Sequence, residues 1–144
     1  MNAYPDASFV ISLYVRRTQT VAATSHVATM QEPIHIATLL RFEVAHAIRR
    51  AAFENTIPYQ LAMTALAAFE VDIDNGVIVI PSVPWEVVHQ EAERLSNAHT
   101  LRAGHRSFDI LHVATALTLK AREFLSFDVK QRALAVAEGL KVKP

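Results

Sequence analysis

Ser107-Phe108-Asp109-Ile110-Leu111-His112-Val113-Ala114-Thr115-Ala116-Leu117, continued by Phe124-Leu125-Ser126-Phe127-Asp128, is the stretch whose reading decides the fold. Ile110, Val113, Ala114 and Leu117 recur at the three- and four-residue spacing of one helix face, which predicts a helix from Ser107 to about Arg122, with Gly104 before it. Phe124–Phe127 then reads as a strand, and Val129–Ala137 as a helix closed by Gly139. Leu140-Lys141-Val142 follows as a terminal strand. Strands separated by a helix must run parallel, because the helix is the crossover that returns the chain.

The same alternation continues upstream. Ser8–Val15 has helical spacing with Asp6 or Ser8 available as its cap, and Val21–Met30 is a second helical segment. Pro33 opens the β-rich run Ile34-His35-Ile36-Ala37. From Leu39 the pattern is helical again, with Leu40, Val44, Ala47, Ile48 and Ala51 on one face as far as Phe53. Pro58 suits the start of a helix over Tyr59–Glu70, and Asp72-Ile73-Asp74-Asn75-Gly76 is turn chemistry. Val77–Ile80 is the clearest buried strand, and Pro84 starts a helix carrying Val87, Val88, Ala92 and Leu95. The expected architecture is α/β: a three-layer α/β/α sandwich around a parallel sheet of four to five short strands, as a single domain over residues 1–144.

Composition narrows the function. The chain is 51% hydrophobic and 19% charged, a mix that supports a packed core rather than disorder. It has no cysteine, which excludes thiolate zinc, iron–sulfur clusters and a cysteine nucleophile. Fourteen Lys and Arg balance fourteen Asp and Glu, so no global basic field advertises a nucleic-acid binder. The opening Met1-Asn2-Ala3-Tyr4-Pro5-Asp6 is a poor secretory signal and no apolar run approaches transmembrane length, so a cytoplasmic location and no membrane partner are expected.

In open parallel sheets, sites form at the carboxyl ends of strands. Asp6 follows the first candidate strand, Glu43 lies in the helix after the second, Asp109 is near the start of the long helix, and Asp128 follows Phe124–Phe127. Singly, each is most simply a cap or a dipole partner. Glu43 stands out among Phe42, Val44, Ala45 and Ala47, where an unpaired carboxylate would cost several kcal/mol or take up a proton. Gathered together, such acids require cations. Hard oxygen ligands without cysteine suit Mg²⁺ or Mn²⁺, the ions of phosphodiester hydrolysis.

Asp6-Ala7-Ser8, Phe42-Glu43-Val44, the run Ser107–Leu117, and Phe124–Asp128 with Gln131, Ala135 and Gly139-Leu140 together resemble the PIN-domain family over essentially the whole chain. The likeness is to its compact single-domain ribonucleases, the toxins of VapBC-type toxin–antitoxin systems. The resemblance implies that Asp6, Glu43 and Asp109 hold the metal, with Asp128 a fourth acid that binds metal or orients water. It implies support by the hydroxyls of Ser8 and Ser126. It further implies metal-dependent cleavage of single-stranded RNA, leaving a 5′-phosphate, restraint by a cognate antitoxin, and a homodimer. A catalytically silent PIN-like module binding RNA or protein is the alternative. The first strand departs from the family's aliphatic run: Asn2-Ala3-Tyr4-Pro5 contains a proline, which cannot donate to a ladder, so a short strand ending at Pro5 is expected.

Other signals carry less. His105, Asp109 and His112 fall at i, i+4 and i+7, but one helix face supplies too few ligands for zinc, and His112 is expected to be a packed, hydrogen-bonded helix residue. Asp72-Ile73-Asp74-Asn75-Gly76 resembles the opening of a calcium loop whose last ligand position falls on Val83. Arg16, Arg17 and Lys130 are the cations placed by topology for RNA backbone contacts. The apolar positions of Val21–Met30 and Leu39–Phe53 are expected in the core for the most part, with a groove for a partner helix as the functional reading.

Overall fold

Short apolar runs and amphipathic helices alternate in the computed structural model, which describes residues Met1–Pro144. The strands are β1 (Ala3–Pro5), β2 (Ile34–His35), β3 (Ile78–Val79), β4 (Glu123–Leu125) and β5 (Lys141–Lys143). The helices are α1 (Ala7–Tyr14), α2 (Thr20–Val27), α3 (Thr38–Phe53), α4 (Tyr59–Asp74), α5 (Trp85–Leu95), α6 (Leu101–Ala103), α7 (Ser107–Thr118) and α8 (Val129–Ala137). A π-helical turn, Ser96–Thr100, joins α5 to α6.

All strand pairs are parallel, in two ladders: β1-β4-β5 and β2-β3, with β2 packed beside the free flank of β1. Pro5 accounts for the division. The Asp6 amide donates to Leu125 on β4 at 2.9 Å. Successive amides along a strand point to opposite sides, so Pro5's missing N–H falls on the β2 side, where no ladder forms. The proline thus ends β1 without costing it a bond to β4.

Side chains also alternate between faces. Tyr4 and Phe124 enter the main core, a cluster of 24 buried residues including Leu40, Ile48, Phe69, Val88 and Val113. Ala3 and Leu125, one position along each strand, join Phe9 and Ala23 in a separate cluster. Helices therefore cover both faces, and the chain is the expected α/β/α sandwich. Burying a Leu, Ile or Phe side chain contributes about 1.5–3 kcal/mol, so this double burial holds the very short strands in place.

Several boundaries differ from the sequence expectation. α4 continues through Asp72 to Asp74, and only Asn75-Gly76 turns. α7 stops at Thr118, well before Arg122. There Lys120 adopts φ 57°, with Lys120 N–H bonded to Leu117 O and Ala121 N–H to Ala116 O. This is a Schellman ending with lysine in the left-handed position usually taken by glycine. Gly139 closes α8 in the expected way, with its own N–H on Val136 O and Leu140 N–H on Ala135 O. β4 ends at Leu125, so Ser126 and Phe127 leave the strand and approach the site.

Candidate active site

Asp6, directly after β1, and Asp128, three residues past the neighbouring β4, each cap the next helix at the carboxyl end of the sheet. Asp6 Oδ1 accepts from the Phe9 amide at 3.0 Å at the start of α1, and Asp128 Oδ1 accepts from the Gln131 amide at 2.8 Å at the start of α8. The local sequence dictates this, because an Asx residue before an apolar helical run supplies the acceptor that the first-turn amides lack. Capping alone does not account for Asp6. Its carboxylate is wholly buried, and further donors converge on it: Ser8 Oγ at 2.6 Å on Oδ1 and Ser126 Oγ on Oδ2.

The two serines link the strand ends. Ser126 Oγ also accepts from the Asp128 amide at 2.9 Å, and Ser8 Oγ accepts from the Phe127 amide at 2.9 Å. Each hydroxyl thus donates to Asp6 and accepts from the β4–α8 connection. Burial nevertheless pushes the Asp6 carboxyl above the usual carboxylate range, against the opposing pull of Ser126, Ser8, the Phe9 amide and nearby His112.

Glu43 and Asp109 reach this end of the sheet from α3 and α7. Glu43 is half-buried rather than buried, since its neighbour Phe42 faces solvent while Val44 and Ala45 face the core. Its Oε2 is hydrogen-bonded to His112 Nε2. His112 is fully buried, as expected of a packed helix residue, between the rings of Tyr4 and Phe108. Asp109 is 5% exposed at its side chain and accepts from Arg106 Nε at 3.2 Å on Oδ2, whereas the Arg106 side chain is 78% exposed. Asp109 first, then Asp128 and Glu43, raise the Arg106 pKa above its ordinary value. One cation therefore feels three of the four acids.

The acids line one end of the sheet without forming a closed ligand set: no three His, Asp or Glu side chains are grouped so as to hold a metal ion. Glu43 is turned onto His112, Asp109 onto Arg106, and Asp128 onto its helix. The donor chemistry itself fits a hard divalent ion, because every acid offers oxygen, and Asp6 Oδ2 keeps a lone pair after its bond to Ser126.

The suggested RNA-contacting cations divide. Lys130 lines a cleft of about 590 Å³ with Arg106, Phe127, Asp128 and Val129. Arg16 and Arg17 follow α1, whose eight residues carry the chain about 12 Å from Asp6. The sequence placed Arg106 only among the several surface cations available for phosphates, with no link to Asp109, and left His112 without a partner. The i, i+3 spacing of Arg106 and Asp109 was the one available signal.

A family model described as PIN domain matches residues 3–137, and the chain belongs to that family. Its fold is similar to solved toxin structures. Mycobacterium tuberculosis VapC20, described as a sarcin-ricin loop cleaving toxin, superposes with a TM-score of 0.72 at 17% identity, covering 99% of this chain and 100% of that one. VapBC2 from Rickettsia felis, bound to a DNA fragment from its promoter, gives a TM-score of 0.69 at 11% identity over 99% and 98% of the two chains. VapBC-1 from nontypeable Haemophilus influenzae gives 0.63 at 15% identity over 99% and 97%. No curated protein sequence matches the chain significantly.

Proposed function

We propose that this protein is a metal-dependent endoribonuclease that hydrolyses phosphodiester bonds in single-stranded RNA, acting as the toxin of a toxin–antitoxin pair. The observation that carries the reading is Asp6: a fully buried carboxylate gripped by two serines and an amide, at the strand end beside Asp128. A fold has little reason to keep so costly a charge unless the charge is used.

Asp6, Asp109, Glu43 and Asp128 are the residues that would hold Mg²⁺ or Mn²⁺. When bound, such an ion polarises a phosphoryl oxygen, lowers the pKa of the attacking water and offsets charge on the leaving oxygen. The chain's own contribution is positioning. Ser8 and Ser126 fix both oxygens of Asp6, Asp128 is held by the first turn of α8, and His112 holds Glu43 from within the core.

The reading includes a cognate antitoxin, a homodimer and a cytoplasmic location. Supporting a protein partner are the VapBC assemblies among similar folds and an apolar cleft of about 290 Å³ between α3 and α4. Phe53 and Tyr59 on its rim are 86% and 66% exposed. No helix is long and apolar enough to cross a membrane.

Cleavage of a labelled single-stranded RNA in Mn²⁺ tests the proposal. Wild type cuts, EDTA stops it, and Asp109→Asn lowers the rate by about a hundredfold or more. Equal cleavage by the variant, or in EDTA, overturns the mechanism. One observation favours the second reading, a silent module that binds RNA or protein: Glu43 and Asp109 already have cationic or hydrogen-bonding partners. That module would bind RNA without cutting it in any metal.

A further inference from the structure

Asp109 and Arg106 form an unequal pair. Asp109 is buried and Arg106 is 78% exposed. Separating them leaves Arg106 solvated at little cost, since an exposed ion pair is worth little. For Asp109 the same separation strands a buried charge, which is far more costly. Asp109 therefore gains far more from a neighbouring cation than Arg106 gains from Asp109.

Arg106 also has somewhere else to go. It lies in extended conformation just before α7, beyond the left-handed turn at Gly104. Its side chain borders the cleft that contains Lys130, Phe127 and exposed Val129. Asp128 lines this cleft as well. With the acids' charge offset by a bound divalent ion, the two cations and the apolar side chains suit one nucleotide of a single strand. The guanidinium fork matches phosphate oxygens and the ammonium adds a point charge, while Val129 and Phe127 offer surface to a base or ribose.

We propose that Arg106 is an exchangeable counter-ion: it neutralises Asp109 until a divalent ion takes that carboxylate, and the freed guanidinium then joins Lys130 in binding an RNA backbone phosphate in this cleft. The inference rests on the metal-dependent reading given above. It couples the two ligands through one side chain, and the coupling is reciprocal: metal favours RNA binding by the same factor that RNA favours metal binding.

Two measurements on the full chain test it. Mn²⁺ is titrated, without RNA, into wild type, Arg106→Gln and Arg106→Lys, with free Mn²⁺ read by electron paramagnetic resonance. Removing the competitor tightens Mn²⁺ binding about tenfold in the Gln variant, between the worth of an exposed and of a buried ion pair. The Lys variant, which keeps the charge but loses the Nε–H donor, falls between. Then a fluorescein-labelled oligouridylate is titrated in EDTA and in Ca²⁺, with anisotropy as the readout. Arg106→Gln weakens RNA binding about tenfold in Ca²⁺ and leaves binding in EDTA unchanged, because there the wild-type arginine is occupied by Asp109.

Unchanged Mn²⁺ affinity in Arg106→Gln, or equal loss of RNA affinity with and without metal, overturns the exchange while leaving the nuclease reading intact. Wild type that takes up no Mn²⁺ at all overturns both.

Discussion

With no exposed surface and hydrogen bonds from Ser8, Ser126 and the Phe9 amide, the Asp6 carboxylate is as well served as a buried acid can be, yet desolvation still raises its pKa. An acid whose folded pKa lies above its unfolded value destabilises the fold where it is ionised, above the folded pKa. The penalty disappears as pH falls through that pKa toward the ordinary range. Asp6→Asn is therefore expected to melt a few degrees higher than wild type in EDTA at neutral pH, with the gap closing on acidification. Thermal melts across a pH series check this, and a variant less stable at every pH would contradict it. Asp6 and Asp128 were legible as caps, since Asp after a short apolar run and before a helix is a recognisable signal, whereas Ser8 and Ser126 were singled out only through the family resemblance. The partners of Glu43 and Asp109 were not. His112 lies 69 residues from Glu43, and no local pattern links them. Arg106 stood three residues from Asp109 but looked like one surface cation among many.

At the scale of elements, parallel strand–helix alternation was readable because the longer helices kept an apolar face and short β-rich runs such as Ile34–Ala37, Val77–Ile80 and Phe124–Phe127 stood between them. Helix ends were readable where glycine supplied the left-handed residue, as at Gly139, and were missed where Lys120 took that role. The π-helical turn at Ser96–Thr100 had no sequence signal. It is held from outside: Glu138, just past α8, receives Arg94 at 2.5 Å and binds His99 at 2.6 Å. Arg94, followed by His99, holds the Glu138 carboxyl below its ordinary pKa, against the effect of burial. A lowered acid pKa contributes stability above the unfolded value, and that contribution is lost as pH falls through the folded one. Glu138→Gln should thus cost about 1 kcal/mol at neutral pH, between the values for exposed and buried pairs. The difference should shrink below about pH 4, where the unfolded carboxyl is protonated. Urea denaturation at the two pH values measures it, and no loss at neutral pH would show that the contact is idle.

For the whole molecule, very short strands are sufficient because helices on both faces bury the central pair β1 and β4, and the sheet tolerates Pro5 because its missing amide faces the flank without a ladder. That arrangement brings acids from four separate chain segments to one end of the sheet, where each is met by a hydroxyl, an amide, a histidine or an arginine. The residues are thus compensated without an ion while keeping the oxygen chemistry that would accept one. Binding to the folded state alone also implies stabilisation by mass action, so the ion's presence is readable without any RNA. Calorimetric titration of Mn²⁺ into the protein, beside Asp109→Asn, is the most direct measurement. Wild type is expected to bind saturably at millimolar metal or below, about tenfold or more tighter than the variant. Absence of binding by wild type, or equal binding by both proteins, would contradict it.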